Sequence, residues 1–112
     1  MKDNNCIFCK IANKEIPCDF VYENDFVVVF KDLNPQAPTH LLLIPKEHFA
    51  SLNELDDEKI MPELLKGVKE VTKKLGIKEY RTVINTGAEA GQTVFHIHLH
   101  ILAGRPLLWP PG

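Results

Sequence analysis

The first half of the chain carries its apolar residues in short blocks bounded by turn-forming residues, which is typical of β-strands. A short helix over residues 6–13, ending before Pro17, precedes them. The predicted strands are Phe20–Glu23, Asp25–Lys31 and Thr39–Pro45, the first two joined by a turn at Asn24-Asp25. Residues 32–38 contain two prolines and are predicted to form a loop.

A helical pattern follows between Asp56 and Gly76. Apolar residues recur there at intervals of three, four and seven, as on one face of a helix: Ile60, Met61, Leu64, Leu65, Val68, Val71 and Leu75. Asp56 or Asp57 can cap the start of this helix, and Gly76 can end it. Pro62 predicts a kink or a later start, because proline lacks an N–H and clashes with the preceding turn.

Two more strands are predicted over residues 80–85 and 94–103. The order hairpin, strand, helix, strand, strand predicts an α+β fold: a five-stranded antiparallel sheet with one main helix and a short N-terminal helix. A chain of 112 residues without repeats or linkers is expected to form one domain, residues 1–112. The proline-rich segment Gly104–Gly112 is expected to be irregular and to dock on its own domain or on a second subunit.

The composition is that of an ordinary globular domain, with 45% hydrophobic residues, 25% charged residues and a formal net charge of -2. It favours neither a nucleic-acid polymer nor an anionic membrane as partner. Residues 1–5 lead into the chain without a signal-type apolar stretch, and the longest apolar runs have strand length. We therefore expect a cytoplasmic protein with reduced thiols.

His96, His98 and His100, three of the five histidines, alternate with apolar residues in the last predicted strand. On a strand they would share one face, and the residues between and beside them would face the core: Phe95, Ile97, Leu99 and Ile101. Three interpretations are open: a solvated polar face, a metal site that all three histidines share, and a nucleophilic histidine between two assisting ones. Neutral imidazole is a good nucleophile near pH 7 and suits phosphoryl chemistry.

The loop upstream of the histidines favours the nucleophile. Residues 85–93 contain two glycines, an amide and hydroxyl groups, and their backbone N–H groups can donate to an anion. The alternative for this loop is a plain hairpin connection. No Asp or Glu lies close to the histidines in this strand, which disfavours a metallohydrolase, since hydrolytic metal sites commonly use a carboxylate.

The segment His96–Leu102 resembles the histidine triad pattern. Further segments resemble the Hint branch of the histidine triad (HIT) family, namely Asp32–His40, Leu43–His48, Gly91–Val94 and Trp109–Gly112. The similarity extends in order from about Cys6 to Gly112. Leu107-Leu108 departs from the pattern, because the branch often has a histidine just before the tryptophan, so the leaving-group preference does not carry over.

The resemblance implies a HIT-like fold and a homodimer with a sheet continuous across its subunits. It also implies binding of purine nucleoside monophosphates and hydrolysis of the P–N bond of purine nucleoside 5′-phosphoramidates. His98 takes the position of the nucleophile, which forms a covalent nucleotidyl-histidine intermediate, and His100 that of a phosphate contact. We expect His98 to donate its other ring N–H to a backbone carbonyl. A nucleotide-binding dimeric scaffold with little turnover is the alternative function.

The same resemblance implies the residues that bind the nucleotide. Asp32 takes the position that holds the ribose hydroxyls, and Leu33 lies beside it against the nucleoside. The phosphate-side positions are Asn85, Gly91 and Thr93, and Gln92 is a further nucleotide-binding position.

Cys6 and Cys9 form a closely spaced pair that is consistent with a redox dithiol, half of a zinc site or two buried thiols. His48 and His96 would complete a tetrahedral structural zinc site of the Cys₂His₂ type. Some members of the wider superfamily bind zinc in this way. Cys18 has no partner at motif spacing and is expected to be packed in the interior.

Overall fold

The computed structural model of the chain describes residues 5–112. Most of the N-terminal segment considered above for a signal sequence, residues 1–4, therefore lies outside the described residues. Its elements are α1 (Ile7–Ala12), β1 (Phe20–Glu23), β2 (Val27–Lys31), β3 (Thr39–Pro45), a 3-10 turn (Leu52–Glu54), α2 (Ile60–Leu75), β4 (Arg81–Val83) and β5 (Leu99–Ala103). The strands form one antiparallel sheet in the order β1-β2-β3-β5-β4. The predicted α+β architecture is confirmed. No helix in the described range is long and apolar enough to cross a membrane.

The sheet is covered on both faces. Because side chains alternate along a strand, four odd-numbered residues of β2 and β3 pack under α2 with Ile97, Leu99 and Ile101: Val27, Val29, Leu41 and Leu43. Four even-numbered residues of the same strands pack against α1: Val28, Phe30, Leu42 and Ile44. The nearly continuous apolar composition of β2 and β3 reflects this burial on both sides.

The ends of α2 follow the predicted chemistry. The Asp57 carboxylate accepts hydrogen bonds from the backbone N–H groups of Lys59 and Ile60, and Gly76 ends the helix in the left-handed conformation with φ +70°. Pro62 is the third residue of α2, where its missing N–H has no partner to lose. The helix therefore starts late, which was one of the two predicted outcomes.

The predicted apolar face of α2 was too wide. Ile60, Leu64, Val68 and Val71 are buried, whereas Met61, Leu65 and Leu75 are exposed. The helix contacts the sheet through a narrow stripe of residues, and the three exposed apolar residues lie beside that stripe.

Two strand starts differ from the prediction. The Asn24 side chain accepts hydrogen bonds from the N–H groups of Phe26 and Val27, so the turn extends to Phe26 and β2 begins at Val27 rather than Asp25. The strand predicted over residues 94–103 begins only at Leu99, because the preceding backbone bonds to loops: the Ile97 N–H donates to the Phe49 carbonyl.

Several residues that were predicted to be buried or to lie in a strand are located outside the packed sheet. Phe95, predicted to face the core, is half exposed, and Cys18 is exposed rather than packed. The strand predicted over residues 80–85 is limited to β4. In the irregular tail, Leu108 and Trp109 are 76% and 82% exposed, so they do not dock on their own domain. Docking on a second subunit stays a prediction.

Gly67 allows α2 to approach the sheet closely. A Cβ atom at this position would lie 2.8 Å from Leu43 Cδ1 and 3.1 Å from Val27 Cγ2, and both of those residues are fully buried. We expect Gly67→Val to lower the free energy of unfolding by about 1–3 kcal/mol through overpacking. The control is Lys69→Val, which introduces the same β-branched side chain on the exposed side of α2, away from Leu43 and Val27. Urea unfolding that gives the two variants equal stability would contradict the close-packing argument.

Candidate active site and metal site

The pairing of β3 with β5 places two histidines side by side. Leu42 is opposite His100, and His40 is opposite Leu102. His40 and His100 are therefore diagonal neighbours on the sheet face that packs against α1, and their ring centroids are 5.2 Å apart. His98 precedes β5 on the same side, 5.1 Å from the His100 ring.

The hydrogen-bond partner of His98 assigns its ring proton. His98 Nδ1 lies 2.9 Å from the carbonyl oxygen of His96, and a carbonyl can only accept, so Nδ1 carries the proton, as expected from the sequence. The lone pair is then on Nε2. The ring is 7% exposed and is held edge-on against Phe8 at 5.2 Å between centroids. In its neutral form, His98 is thus a buried imidazole whose Nε2 lone pair is left for a nucleophilic attack.

His100 belongs to a network that includes His40 and Asp32. His40 Nε2 lies 2.9 Å from His100 Nδ1 and 3.3 Å from Asp32 Oδ2, and the Gln36 backbone N–H donates to His40 Nδ1 at 3.0 Å. Burial, followed by the nearby His98 and His40, lowers the pKa of His100, while Asp32 opposes the shift. The sequence interpretation assigned no role to His40, although the residue lies at the end of a segment that supports the family resemblance.

A cleft of about 770 Å³ opens beside these histidines. Its volume lies within the range of small-molecule sites. Five of the predicted nucleotide-binding residues line it: Asp32, Leu33, Thr93, His98 and His100. Apolar residues of α1, the segment after α1 and β2 also line the cleft, including Phe8, Ile11, Ile16 and Phe30. The cleft thus combines polar side chains, the histidines among them, with an apolar surface suited to a flat ring.

Three predicted nucleotide-binding residues, Asn85, Gly91 and Gln92, are not among the residues that line this cleft. The Gln92 side chain is buried and closes its own loop: Nε2 donates to the carbonyls of Ala50 and Val94, and Oε1 accepts from the Gly87 N–H. Nucleotide binding by these three residues stays a prediction. Asn85 Nδ2 donates to the Gly91 carbonyl at 3.5 Å, so these two residues lie together.

The three histidines of the triad do not form a common metal site. Within residues 5–112, no group of potential metal ligands contains His96, His98 and His100 together. His96 turns to a different cluster, where its Nδ1 lies 3.3 Å from Cys6 Sγ and 3.3 Å from His48 Nδ1. The interpretation in which all three share one metal is therefore wrong.

That cluster consists of the four residues predicted to bind a metal, Cys6, Cys9, His48 and His96. Their ligand atoms all lie within 4.8 Å of one another, and Cys9 Sγ is 3.3 Å from His48 Nδ1. Tetrahedral zinc, with bonds of roughly 2.0–2.3 Å, holds its ligand atoms at about 3.3–3.8 Å from one another. The donor set and its spacing therefore fit a metal of this kind.

The protonation of His96 also fits metal binding. Its Nε2 lies 2.8 Å from the Pro45 carbonyl oxygen and must donate to it, which leaves the Nδ1 lone pair directed at the two sulfur atoms. Burial lowers the pKa of His96 to about 4, with smaller contributions from His48 and His98, so the ring is neutral at physiological pH. Neutral imidazole is the form that binds metal.

Asp32, His40 and His100 also bring three potential ligand atoms within 4.8 Å of one another. Here the protonation does not fit a metal. The Gln36 N–H occupies Nδ1 of His40, so the proton of this neutral ring is on Nε2, the nitrogen that faces the cluster. The group is organised as a hydrogen-bond network.

Comparisons with known proteins agree with this geometry. The sequence profile of the HIT domain matches residues 13–107. An uncharacterised HIT-like protein of Synechocystis is 55% identical over 109 residues, which cover 95% of this chain and 96% of the relative. A 14 kDa zinc-binding protein of maize is 45% identical over 117 residues, covering 100% of this chain and 91% of the relative.

A solved structure of a HIT family hydrolase from Legionella pneumophila superposes with a TM-score of 0.91 at 46% identity, covering 96% of this chain and 100% of that one. The agreement in sequence and in fold extends over nearly the whole chain. The chain belongs to the HIT domain family.

Proposed function

We propose that this chain is a hydrolase of the Hint branch that cleaves the P–N bond of purine nucleoside 5′-phosphoramidates through a covalent nucleotidyl-His98 intermediate. The observation that carries the proposal is the assigned protonation of His98. Its Nδ1 proton is held by the His96 carbonyl, so the Nε2 lone pair remains for attack in a ring that lines the cleft. An enzyme nucleophile of this type needs such an unprotonated nitrogen.

We place the substrate in one orientation. A purine base would pack on apolar residues of the cleft beside Leu33, its ribose hydroxyls would reach the carboxylate of Asp32, and the α-phosphate would lie at His98 and His100, all of which line the cleft. Thr93 also lines the cleft and has a hydroxyl that can donate to a phosphate oxygen.

The reaction takes two displacements at phosphorus. His98 Nε2 attacks the α-phosphorus, the P–Nε2 bond forms, the P–N bond to the leaving amine breaks, and the amine takes up one proton from solvent as it departs. Water then attacks the same phosphorus, the P–Nε2 bond breaks, the water gives one proton back to solvent, and the nucleoside monophosphate leaves with His98 neutral again. Donors that are already in place around the phosphate stabilise the charge on its oxygens during both steps.

We expect His98→Ala to lose hydrolysis of adenosine 5′-phosphoramidate by at least roughly 10³-fold, because the substitution removes the nitrogen proposed to attack phosphorus. The measurement is ammonia or monophosphate release by purified protein. Binding of adenosine monophosphate by the variant, measured by calorimetry, is the control for an intact cleft. Turnover that survives the substitution would refute the covalent mechanism, and tight binding without turnover by the wild type would support the scaffold function.

We also propose that the cluster of Cys6, Cys9, His48 and His96 holds a structural zinc ion. When bound, zinc would supply a tetrahedral cross-link between the start of α1 and the segment before β5, without taking part in the reaction. The spacing of the four ligand atoms and the protonation of His96 support this proposal, and the related maize protein is described as zinc-binding.

The cysteines allow a matched test of zinc binding. We expect wild type and Cys18→Ser to hold one zinc ion per chain and Cys9→Ser to hold much less, because Cys9 is a proposed ligand and Cys18 is not. Elemental analysis of protein purified under reducing conditions measures the content. Thermal unfolding before and after chelation should show a lower midpoint for the metal-free wild type. Equal zinc contents in the two variants, or no zinc in the wild type, would overturn the assignment.

We further propose that the chain forms a homodimer. β4 is an edge strand with one side unpaired in the sheet, and the chain exposes the apolar residues Met61, Leu65, Leu108 and Trp109. An edge strand of this kind pairs readily with another chain. We expect light scattering at micromolar concentration to give twice the chain mass of 12.7 kDa. A mass of one chain under those conditions would contradict the dimer.

A further inference from the structure

We propose that His40 is a positioning residue that sets which ring nitrogen of His100 carries the proton, and that it thereby connects the ribose-binding end of the cleft to the phosphate end. The inference rests on the proposed function for its catalytic meaning. Its structural content, the protonation of His100, can be tested without any reaction.

His40 is placed to do this by the sheet. Its side chain is 5% exposed and lies between Asp32 and His100. Burying a polar ring is unfavourable unless its nitrogens have hydrogen-bond partners. Both nitrogens of His40 have such partners, and neither belongs to the cluster of Cys6 and Cys9.

The backbone assigns the proton of His40. The Gln36 N–H donates to Nδ1 at 3.0 Å, so Nδ1 is an acceptor and the proton of the neutral ring is on Nε2. The loop that carries this N–H is itself fixed. Arg105 Nε donates to the Gln36 carbonyl, and the Gln36 side chain donates to the Asn34 carbonyl. The donor that controls His40 is therefore part of a held backbone segment.

The proton on His40 then assigns the proton of His100. His40 Nε2–H points at His100 Nδ1, 2.9 Å away, so His100 accepts on Nδ1 and carries its own proton on Nε2. An Nε2–H in the cleft can donate to a phosphate oxygen. The opposite tautomer of His100 would present a lone pair to the anionic phosphate and would repel it. Substitution of His40 therefore affects the His100 N–H that donates to the phosphate.

Asp32 makes the network sensitive to the ribose. Its Oδ1 accepts from the Asn34 N–H at 2.8 Å, while Oδ2 lies 3.3 Å from His40 Nε2 and shares that proton with His100. A ribose hydroxyl that donates to Oδ2 competes with His40 for this oxygen. The His40 proton is then directed more fully to His100, so a correctly bound ribose strengthens the phosphate donor.

The test compares His40→Leu with His40→Gln. The leucine side chain has no donor, whereas the glutamine amide can place an N–H near the position of His40 Nε2. Nitrogen-15 NMR of the imidazoles reports which nitrogen is protonated. We expect His100 to be protonated at Nε2 in the wild type and in His40→Gln, and to become a mixture of tautomers in His40→Leu. A purely structural role for His40 would leave this signature unchanged.

Kinetics gives the second readout. For adenosine 5′-phosphoramidate we expect kcat to fall by roughly 10²-fold in His40→Leu, with a smaller change in KM, and to recover largely in His40→Gln. Equal kcat in wild type and His40→Leu would overturn the inference, as would an unchanged tautomer of His100.

The two proposals can fail separately. If the wild type binds adenosine monophosphate but does not hydrolyse the phosphoramidate, the proposed function fails, while the NMR comparison still decides the role of His40. If His40→Leu does not fold, the wild-type spectrum alone is sufficient. A proton on His100 Nδ1 in the wild type would overturn the assignment.

Discussion

The proton positions of the buried histidines are the constraint on which this site depends. A neutral imidazole has one N–H and one lone pair, so a fixed partner on one nitrogen determines what the other can do. Backbone groups supply that partner three times: the Pro45 carbonyl for His96, the His96 carbonyl for His98 and the Gln36 N–H for His40. The first leaves a lone pair for the proposed metal, the second a lone pair for the proposed attack on phosphorus, and the third a hydrogen-bond donor.

These roles are kept apart by burial and by the strand geometry. Alternation along the chain directs the residues between the histidines, Ile97 and Leu99, into the core under α2, which anchors the backbone that supplies the His96 carbonyl. On the other face, Phe8 of α1 packs edge-on against both His96 and His98. Because Cys6 and Cys9 belong to the start of the same helix, the proposed zinc site and the apolar residues of the cleft share one short element.

The sequence was sufficient for the architecture, since periodicity and capping are local signals. It was also sufficient to group Cys6, Cys9, His48 and His96, because the family resemblance matches all four positions. It was insufficient where tertiary contacts decide. The width of the buried stripe on α2, the late start of β5 at Leu99 and the exposure of Phe95 depend on what each residue packs against. The role of His40 could not be derived locally either, because it requires the register of β3 with β5 and a backbone N–H from the preceding loop. The sequence also could not show that the side-chain amide of Gln92 is used to hold its own loop through hydrogen bonds to backbone groups.

The central claim is that His98 attacks phosphorus with Nε2. It is tested most directly by quenching the protein during turnover of adenosine 5′-phosphoramidate and analysing its peptides by mass spectrometry. The expected result is an added adenylyl group on the peptide that contains His98, attached at Nε2 and absent when His98 is replaced. Turnover with no protein-bound adenylyl group at any quench time, or an adduct on a different residue, would contradict the account.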